Sequence, residues 1–206
     1  MLISLETNFL TILLSKAKVL QSLIKYINEK EKRDNRMTKK YFKEMKKRKK
    51  LFAKHSQGMI LDIGFNCSPN PFLKGDVYGL DIVIDKHPPN YKKFVKSSCY
   101  ETGFESNIFN TIIVGQTIEH LHNTGLFFKE CARILKKDGL LMVSTMNPHT
   151  LTHIVAEWLE FGWDVDDHIN CIGKYSLKAF YKAYGFKVIK TINIGNRYIV
   201  IGKKIE

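Results

Sequence analysis

The chain has 206 residues, 44% of them hydrophobic and 26% charged, with a formal net charge of +13 at neutral pH. That length suits one domain with some decoration, and that apolar content supports a packed core, which excludes a disordered protein. Four cysteines, Cys67, Cys99, Cys131 and Cys171, stand far apart with no CxxC pair and no His/Cys cluster at ligand spacing, so neither a disulfide scaffold nor a metal site is expected, and free thiols in a reducing cytoplasm are the reading.

The opening MLISLETNFLTILLSK carries Glu6 ahead of its apolar run and lacks both a basic leader and a small-residue cleavage site, which argues against a signal peptide. No apolar stretch reaches the about 20 residues that span a bilayer. Within residues 2–27 the positions Leu2, Leu5, Phe9, Leu13, Leu20, Leu23 and Ile27 recur at three- to four-residue steps apart from one gap, and predict an amphipathic helix. Packing on its own domain or on a second copy, as a homodimer, is the expected use of that face, with docking on a membrane surface as the alternative.

The charge is concentrated. Between Lys30 and Lys54 stand thirteen Lys/Arg against three acids, Glu31, Asp34 and Glu44, so the chain reads as a nearly neutral body with a basic arm. A solvated helix face is the default for such a run, and an anionic membrane surface or RNA is the partner its density allows.

From Gly58 the texture changes to strands alternating with helices, the pattern of a parallel sheet with crossovers. MILDIG (59–64), VYGLDIV (77–83), FVKSS (94–98) and FNTIIVGQ (109–116) read as four strands, followed by a helix over 117–137. DGLLMVSTMN (138–147) reads as a fifth strand entered through the Asp138-Gly139 turn, then HTLTHIVAEWLEF (149–161) and KYSLKAFYKAYG (174–185) as helices, and residues 186–204 as an antiparallel hairpin.

Ligands of open parallel sheets sit beyond the carboxyl ends of the strands. Asp62 and Gly64 close the first strand, Asp81 the second, Ser98 and Cys99 follow the third, and Gly115 and Gln116 the fourth, so four strand ends converge on one crevice. Asp81 lies about 20 residues beyond the first turn, the spacing at which an acid accepts both ribose hydroxyls of an adenosine. A dinucleotide site would show G-x-G-x-x-G, whereas GFNCSPNPF has no second or third glycine and no device for a pyrophosphate.

Taken in order, ILDIGFN, VYGLDI, FNTIIVGQTIEHL, FFKECARILKKDGLLMVSTMNP and the closing DHIN(x)5SLKAFYKAYGFKVI resemble the class I S-adenosylmethionine-dependent methyltransferases, closest to the type 11 and type 12 groups, over residues 58–203. The resemblance implies a Rossmann-like, seven-stranded, mostly parallel α/β sheet with helices on both faces, over residues 58–206; residues 1–57, read from their own periodicity and charge as a helical, lysine-rich extension, lie outside it. It also implies that Asp62 steers the methionine amino group of S-adenosylmethionine, Gly64 lets the backbone approach, Asp81 holds the ribose, Ile82 packs on the adenine, Ser98 and Cys99 face the adenine amine, and Gly115 and Gln116 line the methionine side. Asn66 stands where the family's second glycine falls, and asparagine is the next-best residue for a positive φ; Ser98 replaces the usual acid, and Asn110 a usual Asp of structural role.

A sulfonium is an activated methyl donor, so such an enzyme mainly has to align a nucleophile and exclude water. Glu119, His120 and His168 are the candidates to face the acceptor, and a helix-start hydrogen-bonding role is the plainer expectation for His120. Trp158, Phe161 and Trp163 read as core ahead of an acceptor lid. The function expected is methyl transfer to a small molecule, a saccharide or a lipid-linked glycan, without a metal, in the cytoplasm or peripheral to a membrane. RNA methylation through the basic arm and a non-catalytic binding module are the alternatives.

Overall fold

The computed structural model describes residues 25, 38–148 and 169–205. The predicted amphipathic helix of residues 2–27, apart from helical Lys25, and the predicted helix of residues 149–161 lie outside the described residues. The chain divides into two compact units, Met1–Met45 and Lys46–Glu206. In the first, residues 38–45 are helical, with Lys39, Lys40 and Lys43 exposed.

The division expected at residues 57/58 falls instead between Met45 and Lys46. The reason lies in helix α1, which runs over residues 38–55: within the second unit its Arg48 and Phe52, one turn apart, are 6% and 3% exposed. Phe52 packs with Ile60, Val77, Ile113 and Met142, and burying a phenylalanine stabilises by about 2–3 kcal/mol. The end of the basic run is therefore part of the core.

Seven strands, β1 (Met59–Ile63), β2 (Asp76–Asp81), β3 (Lys93–Lys96), β4 (Phe109–Gly115), β5 (Leu135–Met146), β6 (Phe186–Ile194) and β7 (Arg197–Lys204), form one sheet in the order β3-β2-β1-β4-β5-β7-β6. The first five pair in parallel, and β7 inserts antiparallel between β5 and β6. Strand order reverses beside β1, so the β1/β4 junction is the switch point where a crevice opens. In β1, Leu61 and Ile63 face one side and Ile60 the other, which is why MILDI reads as a continuous apolar run rather than an alternation.

On the first face lie α2 (Thr124–Ile134) and α3 (Lys174–Ala183), whose Phe127, Phe128, Cys131, Leu177 and Tyr181 pack on Leu61, Ile112, Leu141 and Val143. The helix expected over 117–137 begins later. Residues Ile118–His120 form a single 3₁₀ turn, and α2 starts behind Asn123, whose side chain accepts from Leu126 N at 2.9 Å. Asn123 is the N-cap that the sequence hides inside an apparently continuous pattern.

The opposite face is covered by the C-terminal half of α1 and by loops carrying Phe65, Leu73 and Tyr91. The connections β1–β2, β2–β3 and β3–β4 contain no helix. Pro69 and Pro71 each remove a donor and push the residue before them out of helical geometry. A helixless crossover leaves its backbone groups to be satisfied by side chains, and Asn70, 2% exposed, does much of this. Its Nδ2 donates to Lys49 O of α1, its Oδ1 accepts from Phe72 N, its N–H donates to the Tyr91 hydroxyl, and its carbonyl accepts from Asn90 Nδ2.

Candidate cofactor and acceptor site

Asp62, at the end of β1, is 6% exposed and accepts a 2.5 Å hydrogen bond from the Tyr91 hydroxyl. Tyr91 in turn accepts from Asn70 N at 2.9 Å, so the loop after β1 and the loop before β3 meet on this carboxyl. Burial pushes Asp62 up to about 7, opposed by the Tyr91 hydrogen bond and by the positive charges of Arg48 and Lys49. Lys49 is itself lowered, first by burial and then by Arg48. A half-ionised carboxyl thus faces two cations at the switch point.

Gly64 adopts φ +76°, and a Cβ there would stand 2.2 Å from Thr117 Oγ1. Only glycine fits such a conformation and approach together. Asn66 does not take the positive φ expected of a glycine substitute. It is buried instead, donating its N–H to Asp81 Oδ2 at 2.9 Å while its Oδ1 accepts from Asp85 N and Lys86 N, each at 3.1 Å. Its amide side chain locks the β1 and β2 loops together, a role its backbone could not fill. Asp81 also accepts from Val83 N at 3.3 Å, and a carboxylate keeps acceptor capacity beyond two bonds. Beside it Ile82 is 69% exposed, a large apolar side chain left mostly open to solvent.

Ser98 and Cys99 part company. Ser98 Oγ accepts from Tyr100 N at 3.2 Å, whereas Cys99 is buried in the core and its thiol is pushed up to about 11 by burial; only the backbone of Cys99 can face a ligand. The acid that sequence reasoning missed nearby is Glu130, on α2. It accepts from Thr102 N and Oγ1 at 2.9 and 2.6 Å and from Arg133 Nε at 2.8 Å, which binds the β3–β4 loop to the helix. Asn110 Oδ1 accepts from Met59 N at 3.0 Å, the structural role expected of it.

At the end of β4 a Cβ on Gly115 would meet the Phe52 ring at 3.4 Å and the Arg48 guanidinium carbon at 3.5 Å. Arg48 is the principal site residue the sequence concealed. Gln116 adopts φ +62°, unusual for a side-chain-bearing residue, and its Oε1 accepts from Arg197 Nε at 2.8 Å. Its buried Nε2, and the buried Oγ of Ser144, which pairs with Gly115 in register, have no hydrogen-bond partner among the described residues. Unsatisfied buried donors flanking a backbone cradle fit a polar ligand.

Glu119 is 3% exposed and accepts from Thr145 Oγ1 at 3.1 Å. With Met146, Asn170, Cys171 and Ile172 these two residues line a small cleft beyond β4 and β5. His120 lies beside it, half-buried, its N–H on Thr117 O at 3.0 Å. His168, with Asp166, Asp167, Trp158, Phe161 and Trp163, lies outside the described residues. The structure therefore brings Asp62, Gly64, Asn66, Asp81, Gly115 and Gln116 to the strand ends, and sets Glu119 and His120 on the 3₁₀ turn beyond them.

Residues 37–191 match the family model described as a methyltransferase domain. The chain belongs to that family. The match begins 21 residues ahead of residue 58 and takes in the basic helix. The fold of this methyltransferase domain is shared with an S-adenosylmethionine-dependent methyltransferase of Aquifex aeolicus, 16% identical over 76% of this chain and 87% of that one, at a TM-score of 0.60. A methyltransferase of Archaeoglobus fulgidus is 15% identical over 80% and 94%, at 0.58. The [4+2]-cyclase SpnF has the same fold at 0.61, with 11% identity over 78% and 80%; one architecture hosts more than one reaction. Among curated proteins, the ubiquinone biosynthesis O-methyltransferase of Bradyrhizobium diazoefficiens is 41% identical over 39 residues, which is 19% of this chain and 15% of that protein's length. Among the described residues no group of His, Cys, Asp or Glu could hold a metal, and no helix is long and apolar enough to cross a membrane.

Proposed function

We propose that this protein binds S-adenosylmethionine at the ends of β1, β2 and β4 and transfers its methyl group to a saccharide, a small molecule or a lipid-linked glycan. The observation that carries the reading is the meeting of a buried guanidinium, Arg48, and a buried carboxyl, Asp62, beside the Gly115 backbone. Together they offer opposite charges to the carboxylate and the ammonium of one amino acid.

Bound there, the cofactor supplies an activated methyl on a sulfonium. Arg48 and Gln116 Nε2 would hold the methionine carboxylate, Asp62 the ammonium, Asp81 the ribose hydroxyls, and Ile82 one face of the adenine. Asp62 must be ionised for this, so the proton it holds below about pH 7 leaves as the ammonium arrives. The acceptor enters from the cleft of Glu119 and Thr145. A hydroxyl acceptor held there would give up its proton as it takes the methyl group, and His120, next to Glu119 in the chain, would be the base that receives that proton.

Incubation with methyl-labelled cofactor and fractionated glycolipid, small-molecule and RNA pools tests the reading. Label in a saccharide, small-molecule or glycolipid fraction, lost in Arg48→Ala, is expected. Label confined to RNA would overturn the acceptor class, and no label in any pool would support a non-catalytic binding module.

A further inference from the structure

The solvent face of α1 within the sheet-bearing unit carries only lysine. Lys46, Lys50 and Lys54 repeat at four-residue steps with Lys47 beside them, all exposed, on the side of the helix opposite buried Arg48 and Phe52. None of the four makes an ion pair among the described residues, and Lys50 lies 5.5 Å over the Phe72 ring. The same side of the molecule adds further positive charge: Lys54 and Lys190 both press on His55 and lower it after burial has done so, and Lys86 presses on Lys49. The other unit, taken by itself, exposes Lys39, Lys40 and Lys43 on its helical residues and Phe42 at 61%.

We infer that this lysine face adsorbs the protein onto an anionic lipid surface. Like charges crowded without counter-charges are held at a cost that a polyanion removes. The four lysines include no arginine fork, and the Phe72 ring beneath Lys50 is half-buried, whereas arginine forks and exposed aromatics are the devices that read bases or stack on single strands. Lysine is a compact, hydrated point charge on a flexible stem, suited to a diffuse layer of headgroups. Each lysine near such a surface adds a separate increment of attraction. The inference stands independently of methyl transfer.

Flotation of the full chain with vesicles of phosphatidylcholine, with and without about 30% phosphatidylserine, at about 0.1 M and 0.5 M salt, tests it. The protein is expected on the anionic vesicles at low salt and off them at high salt. The triple variant Lys46→Glu, Lys47→Glu, Lys54→Glu is expected to bind them about 100-fold more weakly, with its melting temperature and its S-adenosylmethionine affinity unchanged. Equal binding to neutral vesicles, binding by the variant as tight as by the natural chain, or tighter binding to homopolymeric RNA than to the anionic vesicles would each overturn it.

Discussion

Asp62 holds the most consequential proton in the molecule. Its folded carboxyl sits near 7 against an ordinary 3.8, so the folded state keeps a proton that the unfolded chain releases between those values. Stability falls as pH rises through that window, and the cost is complete above about 7. Asp62→Asn should therefore raise the melting temperature by a few degrees at pH 8 and leave it unchanged near pH 4, as differential scanning calorimetry would read. The same substitution should weaken cofactor binding at pH 8. In the natural chain affinity should improve up to about tenfold per pH unit below about 7 and level off above it; a flat profile would remove Asp62 from the site. Glu130 behaves oppositely. Its carboxyl is held at about 2, where hydrogen bonds from Arg133 and Thr102 outweigh the raising effect of burial. Its stabilisation is complete above the usual 4.5 and fades as pH falls toward 2. Glu130→Gln should cost about 2 kcal/mol at neutral pH in urea denaturation and progressively less in acid.

At the scale of elements, the sequence predicted the strands well because their signal is local: apolar runs ended by Gly64, by Asp81 and by Gly115 with Gln116. It was silent on what covers the sheet face opposite α2 and α3. Asn66, Asn70 and Asn90 look like ordinary turn formers, and nothing in their neighbours says that their side chains stand in for the β1–β2 and β2–β3 crossover helices by tying segments 19 to 21 residues apart. Arg48 was hidden for another reason. It is one cation among thirteen in the run from Lys30 to Lys54, and only the phase of α1, set by Phe52 one turn later, turns it inward while Lys46, Lys47 and Lys50 face water. Phe52→Ala should cost about 3–4 kcal/mol. Removing residues 1–45 should leave the melting transition and cofactor affinity in place, whereas removing residues 1–57 should abolish both. A stable, cofactor-binding product of the longer deletion would show α1 to be dispensable.

Over the whole molecule, the order β3-β2-β1-β4-β5-β7-β6 and the match over residues 37–191 agree with what the ordered series of strand-end residues predicted. Topology converts separate sequence positions into one locality: residues 62, 81 and 115 lie far apart in the chain and at neighbouring strand ends in the fold. Acceptor chemistry was less legible: Glu119, Thr145 and Asn170, which line the cleft, fall within segments on which the family resemblance rests, and those segments specify no acceptor. The charge distribution adds a second organising feature, with acids and unsatisfied polar atoms inside the crevice and, on the outer face of α1, lysines that make no ion pair among the described residues.

The central claim is a working cofactor site at the strand ends, and calorimetric titration of the full chain with S-adenosylmethionine at pH 8, beside Asp81→Asn, tests it most directly. Binding in the micromolar range, about −8 kcal/mol, that weakens at least about tenfold in Asp81→Asn with the melting temperature held, is the result predicted. No heat of binding in the natural chain, or equal affinity in the variant, would contradict it.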